Sequence, residues 1–309
     1  MHIPVLLQEV VEGLEAKAGE VILDATVGGG GHSEALCRSI GAEAPVQVSG
    51  QTTFICLDAD EDAIERSRSR LVPLSGDSGC RFLFETVNYR HLDATLDRLS
   101  IGGINRAIFD LGLSSFQLYA SEGARGRGFS FQQDEPLEMT FSKDVEKGTV
   151  TAAIILNEWG QDTIETLLAS YGEEKKARQI AEKIVSLRAK KPLRSTRELV
   201  AIIESVVKRR GKIHPATKTF QALRMAVNDE FEALKEGLSK AWERLLPEGR
   251  IAVISFHSIE DRTTKDFFKE LARRGEGRLI TKKPIVPGAR EREENPRSRS
   301  AKLRIIEKH

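Results

Sequence analysis

The sequence predicts an α/β protein: a doubly wound, mostly parallel seven-stranded sheet that ends in an antiparallel hairpin and carries an inserted all-helical domain. Three observations lead there. Residues 21–33, VILDATVGGGGHS, run from a short apolar stretch through a glycine turn into a helical pattern, the opening unit of a nucleotide-binding sheet. Four apolar, strand-type runs alternate with helical patterns as far as Asp110, each ending in polar residues, which is the signature of parallel strands with a site at their C-terminal ends. Between about 149 and 208, by contrast, helical patterns follow one another with no strand between them.

Taken in order, residues 2–14 read as an amphipathic lead-in, with Val5, Leu6, Val10, Val11 and Leu14 at helical spacing. The glycine turn follows. Its residues allow positive φ and the approach of a cofactor to bare backbone. The dinucleotide fingerprint wants a third glycine where Ser33 stands, so the turn fits NAD imperfectly. With Asp24 at the strand end it looks more like the first motif of S-adenosylmethionine-dependent methyltransferases, and at this point both readings stay open. Residues 42–53 read as a surface loop. A second strand, 54–57, ends at Asp58, where adenosine ribose hydroxyls are usually gripped; Asp60 also suits the cap of the helix at 61–71. The third strand, 82–84, leads to Tyr89, which offers an adenine a stacking face. The fourth, 106–110, runs into Asp110 and the segment LGLSS.

After residue 116 come the punctuation GARGRG (123–128), then helices at 149–158, 163–171, 174–190 and 196–208, the last opened by Thr196. Residues 217–246 read as one long amphipathic helix stopped by Pro247-Glu248-Gly249. Strands at 250–256, 278–281 and 303–306 complete the sheet. The last two have no helical pattern between them and should pair antiparallel, as in class I methyltransferases; NAD domains continue with parallel strands. The sheet domain is therefore expected at 1–115 and 214–309, with the helical insert at 116–213.

The chain's 309 residues are 40% hydrophobic and 30% charged, a composition able to bury a real core. No apolar run approaches the roughly 18 residues of a membrane span, and no signal-peptide pattern is present. Three scattered cysteines point to the cytoplasm, and six histidines without ligand spacing point to no metal. The net charge is +1, but residues 173–218 carry +9 and residues 282–309 carry +5, leaving −13 on the rest. That is the footprint of a polyanion-binding face on an acidic body, and Lys208, Arg209, Arg210 and Lys212 are its densest cluster. On charge alone nucleic acid and a well-solvated helical surface stay open; the RNA partner, with neither membrane nor DNA and a possible homodimer, is what the family resemblance below implies.

Seven stretches resemble the MraW family of small-subunit ribosomal RNA methyltransferases: HIPVLL (2–7), DATVGGGGHS (24–33), DLGLSSFQ (110–117), RGFSF (127–131), KIHPATKTFQALRMAVNDE (212–230), ISFHSIEDR (254–262) and NPRSRSAKLR (295–304). The resemblance implies transfer of a methyl group from S-adenosylmethionine to the exocyclic N4 of a cytosine in the decoding region of 16S rRNA, within the small subunit. It implies cofactor contacts at Gly30, Gly31, His32, Asp58, Tyr89, Asp110 and Gln117, the last on the resemblance alone. Amino-methyltransferases commonly place Asn/Asp/Ser-Pro-Pro-aromatic after the fourth strand. Here LGLSS follows Asp110, so no catalytic base is assigned; Ser114, Ser115, Asn228 and His257 are candidates for the acceptor side, each with an alternative as a cap or structural hydrogen-bonder. One stretch departs from the family. After Pro136-Leu137 the family reads Asp-Met-Arg-Met-Asp, and here residues 138–142 are Glu-Met-Thr-Phe-Ser, which bears on RNA handling. Two other classes remain open: a noncatalytic RNA-binding assembly factor, permitted by this departure, and a small-molecule methyltransferase, against which the basic regions argue.

Overall fold

The computed structural model describes residues 3–43, 50–75, 79–112, 126–142, 148–209 and 214–309. By packing, the chain divides into two units, Met1–Gly112 with Glu232–His309, and Leu113–Phe231.

The first unit is built on a seven-stranded sheet of order β3-β2-β1-β4-β5-β7-β6. Its strands are β1 (Val21–Asp24), β2 (Thr52–Asp58), β3 (Cys80–Thr86), β4 (Ile104–Asp110), β5 (Leu245–Ser255), β6 (Gly277–Leu279) and β7 (Lys302–Lys308). The β1, β2, β3, β4 and β5 strands pair in parallel, and β7 runs antiparallel to both β5 and β6. This is the sheet of class I S-adenosylmethionine methyltransferases. Alternate side chains supply two cores, as the two-residue period of a strand requires. Ile22, Phe54, Cys56, Ile108 and Ile254 pack on one face, and Leu23, Ile55, Leu57, Phe109 and Val253 on the other. Burial on both faces explains why these runs read as continuously apolar; each such side chain contributes about 1.5–3 kcal/mol. Helix α1 (Leu7–Leu14) precedes β1, and α2 (Gly31–Glu43), α3 (Glu61–Leu71) and α4 (Leu92–Arg98) link the strands from β1 to β4. The chain winds outward from β1 to β3 and returns to pair β4 with β1, so the order reverses between β1 and β4. Ligands of open α/β sheets bind at that switch, beyond the strand C-termini.

Two details of this unit differ from the sequence reading. Strand β5 starts at Leu245, which pairs with Ile104, and its register against β4 shifts before Arg250 pairs with Arg106. Pro247-Glu248-Gly249 is thus an irregularity inside a strand, with Glu248 at φ 61°, rather than a boundary. Between β6 and β7 lie a short helix at Ala289–Glu294 and a 3-10 turn at Pro296–Ser300, where no helix was expected; the antiparallel pairing holds.

The helical unit contains α5 (Ala152–Glu158), α6 (Gln161–Gly172), α7 (Ala177–Arg188), α8 (Thr196–Val206) and α9 (Thr217–Val227). Their apolar stripes meet in one core that includes Ile155, Ile164, Leu168, Ile180, Ile184, Leu199, Ile203, Phe220 and Leu223. Ser195, one residue before the expected Thr196, caps α8 in a capping box with Glu198. The expected single helix over 217–246 is two, α9 and α10 (Glu230–Arg244), broken where Asp229 takes φ 48°. Phe220 and Leu223 serve the helical core, whereas Leu234 and Leu238 serve the sheet. The helical unit accordingly runs on to Phe231, beyond the expected boundary at 213. Among the described residues no helix is long and apolar enough to cross a membrane.

Candidate functional site

Three strands of the first unit end in a carboxylate at the switch point. Asp24, at the end of β1, accepts from Ser33 Oγ at 2.6 Å and from the Thr26 amide at 3.3 Å. Asp58, at the end of β2, accepts from the Gly28 amide at 3.0 Å and the Asp60 amide at 2.9 Å, tying the glycine turn to the start of α3. Asp60 itself caps α3, accepting from the Asp62 amide, which separates the roles that the sequence left shared. Asp110, at the end of β4, has its amide fixed by Thr26 Oγ1 at 2.6 Å. Its Oδ2 lies 3.7 Å from His32 Nδ1. Its Oδ1 is shielded from solvent and has no hydrogen-bond partner among the described residues.

Burial pushes all three carboxyls up: Asp24 and Asp58 to about 6, and Asp110 to about 8, where Asp24 and Glu260 add repulsion. Carboxyls crowded in this way favour a ligand that brings positive charge. S-adenosylmethionine carries a sulfonium and an ammonium, and the unpartnered Asp110 oxygen suits the latter. The antiparallel β7 beside β5, where dinucleotide domains continue in parallel, removes the dinucleotide alternative. Asp58 keeps lone pairs beyond its two backbone contacts, as a ribose clamp needs.

The glycines divide their work. Gly28 and Gly30 hold φ 51° and 75°, the left-handed region that favours glycine. Gly31 has another reason: a Cβ there would meet Pro4 Cγ at 2.3 Å. His32 is buried and donates from Nε2 to the Val5 carbonyl at 3.0 Å, so its ring is aimed by the N-terminal segment. Tyr89, on a 3-10 turn after β3, lies T-shaped to Phe109 with centroids 5.5 Å apart. A Cβ on Gly237 would strike its ring at 2.6 Å, so part of the half-buried Tyr89 ring packs against α10.

Both acceptor-side candidates within the described residues make hydrogen bonds of the kind their structural alternatives call for, although the buried His257 Nε2 has no hydrogen-bond partner among the described residues. His257 caps α11 (Ser258–Arg273), its Nδ1 accepting from the Glu260 amide at 3.4 Å while Nε2 lies 2.9 Å from Glu260 Oε1. Asn228 closes the end of α9. It donates to the Met139 and Arg224 carbonyls at 2.7 and 2.9 Å and accepts from the Phe141 amide at 2.8 Å, which uses both amide hydrogens and one lone pair of the oxygen. Ser114, Ser115 and Gln117 lie outside the described residues, as do Arg210 and Lys212; Lys208 and Arg209 are exposed just beyond α8. The departing stretch is absorbed within the helical unit. Met139 and Thr140 are buried, the Thr140 hydroxyl donates to the Ser142 carbonyl at 2.9 Å, and Phe141 stacks on Phe129 at 5.9 Å.

Sequence reasoning missed several supports of the site. Arg70 of α3 donates to the Gly29 carbonyl at 3.2 Å and pairs with Glu34; nothing local in the sequence marks it. Ser33 holds Asp24 from the position where a third glycine was sought, and that exchange was the available clue. Part of the tail's positive charge is also used internally, since Lys302 and Arg304 clasp Asp261 at 2.9 and 2.7 Å. The helical unit holds a cavity of about 550 Å³ whose lining includes Trp159, Asp162, Thr163, Thr166, Tyr171 and Asp229.

The MraW methylase family model matches residues 1–309. The chain is 42% identical over 310 residues to the ribosomal RNA small subunit methyltransferase H of Persephonella marina, covering 99% of each chain. Proteins of the same name from Carboxydothermus hydrogenoformans and Heliobacterium modesticaldum are each 42% identical, over 99% of this chain and 97% and 98% of theirs.

Proposed function

The chain belongs to the MraW methylase family, and on that premise we propose that it methylates the exocyclic N4 of a cytosine in the decoding region of 16S rRNA. One observation carries most of the reading: the match is end to end, with relatives of which 97–99% is covered and which are named for the small-subunit RNA.

S-adenosylmethionine supplies an electrophilic methyl carbon. The protein's own part is to fix it. Asp58 would grip the ribose, Asp110 and His32 would hold the methionine end, and Gly28 and Gly30 shape the turn. The amine nitrogen forms a bond to the methyl carbon as the carbon–sulfur bond breaks, and the amine then loses a proton. Alignment supplies much of the acceleration in such an in-line displacement. Asn228 and His257 both make structural hydrogen bonds, and no base is assigned among the candidates.

The target base must leave its stack to be methylated. Phosphate contacts fall to the exposed basic residues after α8. Changing Lys208, Arg209, Arg210 and Lys212 together to Ala is expected to weaken binding of small-subunit RNA and flatten the slope of log affinity against log salt by up to about 3–4. Affinity for S-adenosylmethionine should stay unchanged. An unaltered salt slope in a binding titration would show that this cluster does not face RNA.

A further inference from the structure

The residues that close the cofactor site on its N-terminal side are held by the far end of the chain. Residues 3–6 form a strap across the glycine turn. Pro4 occupies the space that a Cβ on Gly31 would fill, at 2.3 Å, and the Val5 carbonyl accepts the His32 Nε2 proton at 3.0 Å. The next residue, Leu6, is fully buried and takes φ 52°, ψ 37° at the head of α1, with no side-chain cap of its own. A non-glycine residue in that conformation persists only where its surroundings over-determine it. Its amide donates to Glu291 Oε1 at 2.8 Å, across 285 residues of sequence. Asn295 Nδ2 adds a bond to the Ile3 carbonyl at 3.1 Å.

We infer that Glu291 is a positioning residue of the cofactor site: by holding the Leu6 amide it fixes the strap, and through Pro4 and Val5 the strap sets the glycine turn and the His32 ring opposite Asp110. The chain of contacts is short. Glu291 fixes Leu6, Val5 next to Leu6 aims His32, and His32 Nδ1 lies 3.7 Å from Asp110 Oδ2. Without the carboxylate the Leu6 amide loses this acceptor, and the strained residue has an incentive to relax out of the left-handed region. The strap would then shift from Gly31, and His32 would lose its aim. The short helix that carries Glu291 exists to reach back to the N-terminus, which also explains a helix in a stretch whose sequence showed no helical pattern.

The inference rests on the glycine turn being the S-adenosylmethionine site, and three variants of the full chain separate the two. Glu291→Ala should raise KM for S-adenosylmethionine about tenfold in methyl transfer to small-subunit RNA, with kcat within about twofold of the parent. Glu291→Gln keeps an acceptor oxygen and should restore KM to within about twofold. Asp58→Ala, which removes a direct cofactor contact, should weaken calorimetric binding of S-adenosylmethionine about ten- to hundredfold. A parental KM in Glu291→Ala, or a loss shared by KM and kcat that Gln does not rescue, overturns the role of Glu291. Parental cofactor affinity in Asp58→Ala overturns the site and the inference with it.

Discussion

Asp110→Asn is expected to weaken S-adenosylmethionine binding by about a hundredfold or more. The change is isosteric and leaves β4 in place, so the loss reports charge. A buried carboxylate facing an ammonium makes one of the stronger protein contacts, and removing one partner leaves the other charge unpaired. The same residue sets a pH dependence. Burial and the neighbouring Asp24 and Glu260 push the Asp110 carboxyl up to about 8, so at lower pH it is protonated and offers no charge. Affinity should therefore rise with pH by up to about tenfold per unit and level off above about 8, with Asp24 and Asp58 adding to the rise near 6. Stability of the cofactor-free protein follows the opposite sign. A carboxyl whose folded pKa is raised contributes stability that is present at low pH and lost as pH rises through the folded value. The thermal shift produced by the cofactor should accordingly grow between pH 6 and pH 8. Asp110→Asn should abolish the upper part of the affinity rise. Calorimetry showing parental affinity in the variant, or a flat profile in the parent, would remove Asp110 from the site.

How much of this was legible in the sequence depended on whether a signal was local. Strands β1, β2 and β4 were readable because each is buried on both faces, so its apolar run is unbroken and its polar end marks the cleft; the edge strand β3 is only half-buried and was readable from its short aromatic run alone. Asp58 and Asp110 were readable for the same reason. The break at Asn228-Asp229 was not, because the apolar stripe passes through it without a phase change; only the structure separates Phe220 and Leu223 in one core from Leu234 and Leu238 in another. Strand β5 was clipped because Pro247 and Gly249, reliable stop signals elsewhere, here sit in an irregularity of its pairing with β4. Asn228 read as a chemical candidate or a structural hydrogen-bonder, and its contacts run to the Met139, Arg224 and Phe141 backbone: an amide side chain gives no sign in sequence of where its hydrogen bonds go. Glu291 and Arg70 act on the glycine turn from residues distant in the chain, and no spacing rule reaches that far.

The second large effect concerns the substrate. The specificity constant for assembled or partly assembled small subunits should exceed that for free cytidine by on the order of a thousandfold or more. A net charge of +9 over residues 173–218 has no counterpart in a single nucleoside, so cytidine forgoes the backbone contacts that would orient its amine. A short oligonucleotide and naked 16S rRNA should fall between the two, and the order should compress as salt screens the phosphate contacts. Labelled methyl incorporation across the four substrates gives the comparison. Equal constants for cytidine and subunits would favour a small-molecule methyltransferase, and cofactor binding without turnover on any of them would favour a noncatalytic assembly factor.

The most direct measurement is the chemical identity and position of the added methyl. Small subunits from cells lacking this methyltransferase would be incubated with the purified protein and S-adenosylmethionine, and the RNA digested and read by mass spectrometry. The expected product is a single N4-methylcytosine, mapping to the decoding region and missing when Asp110→Asn replaces the parent. A methyl on another base or another atom of cytosine, or an undiminished yield with the variant, would contradict the function and site proposed for this chain.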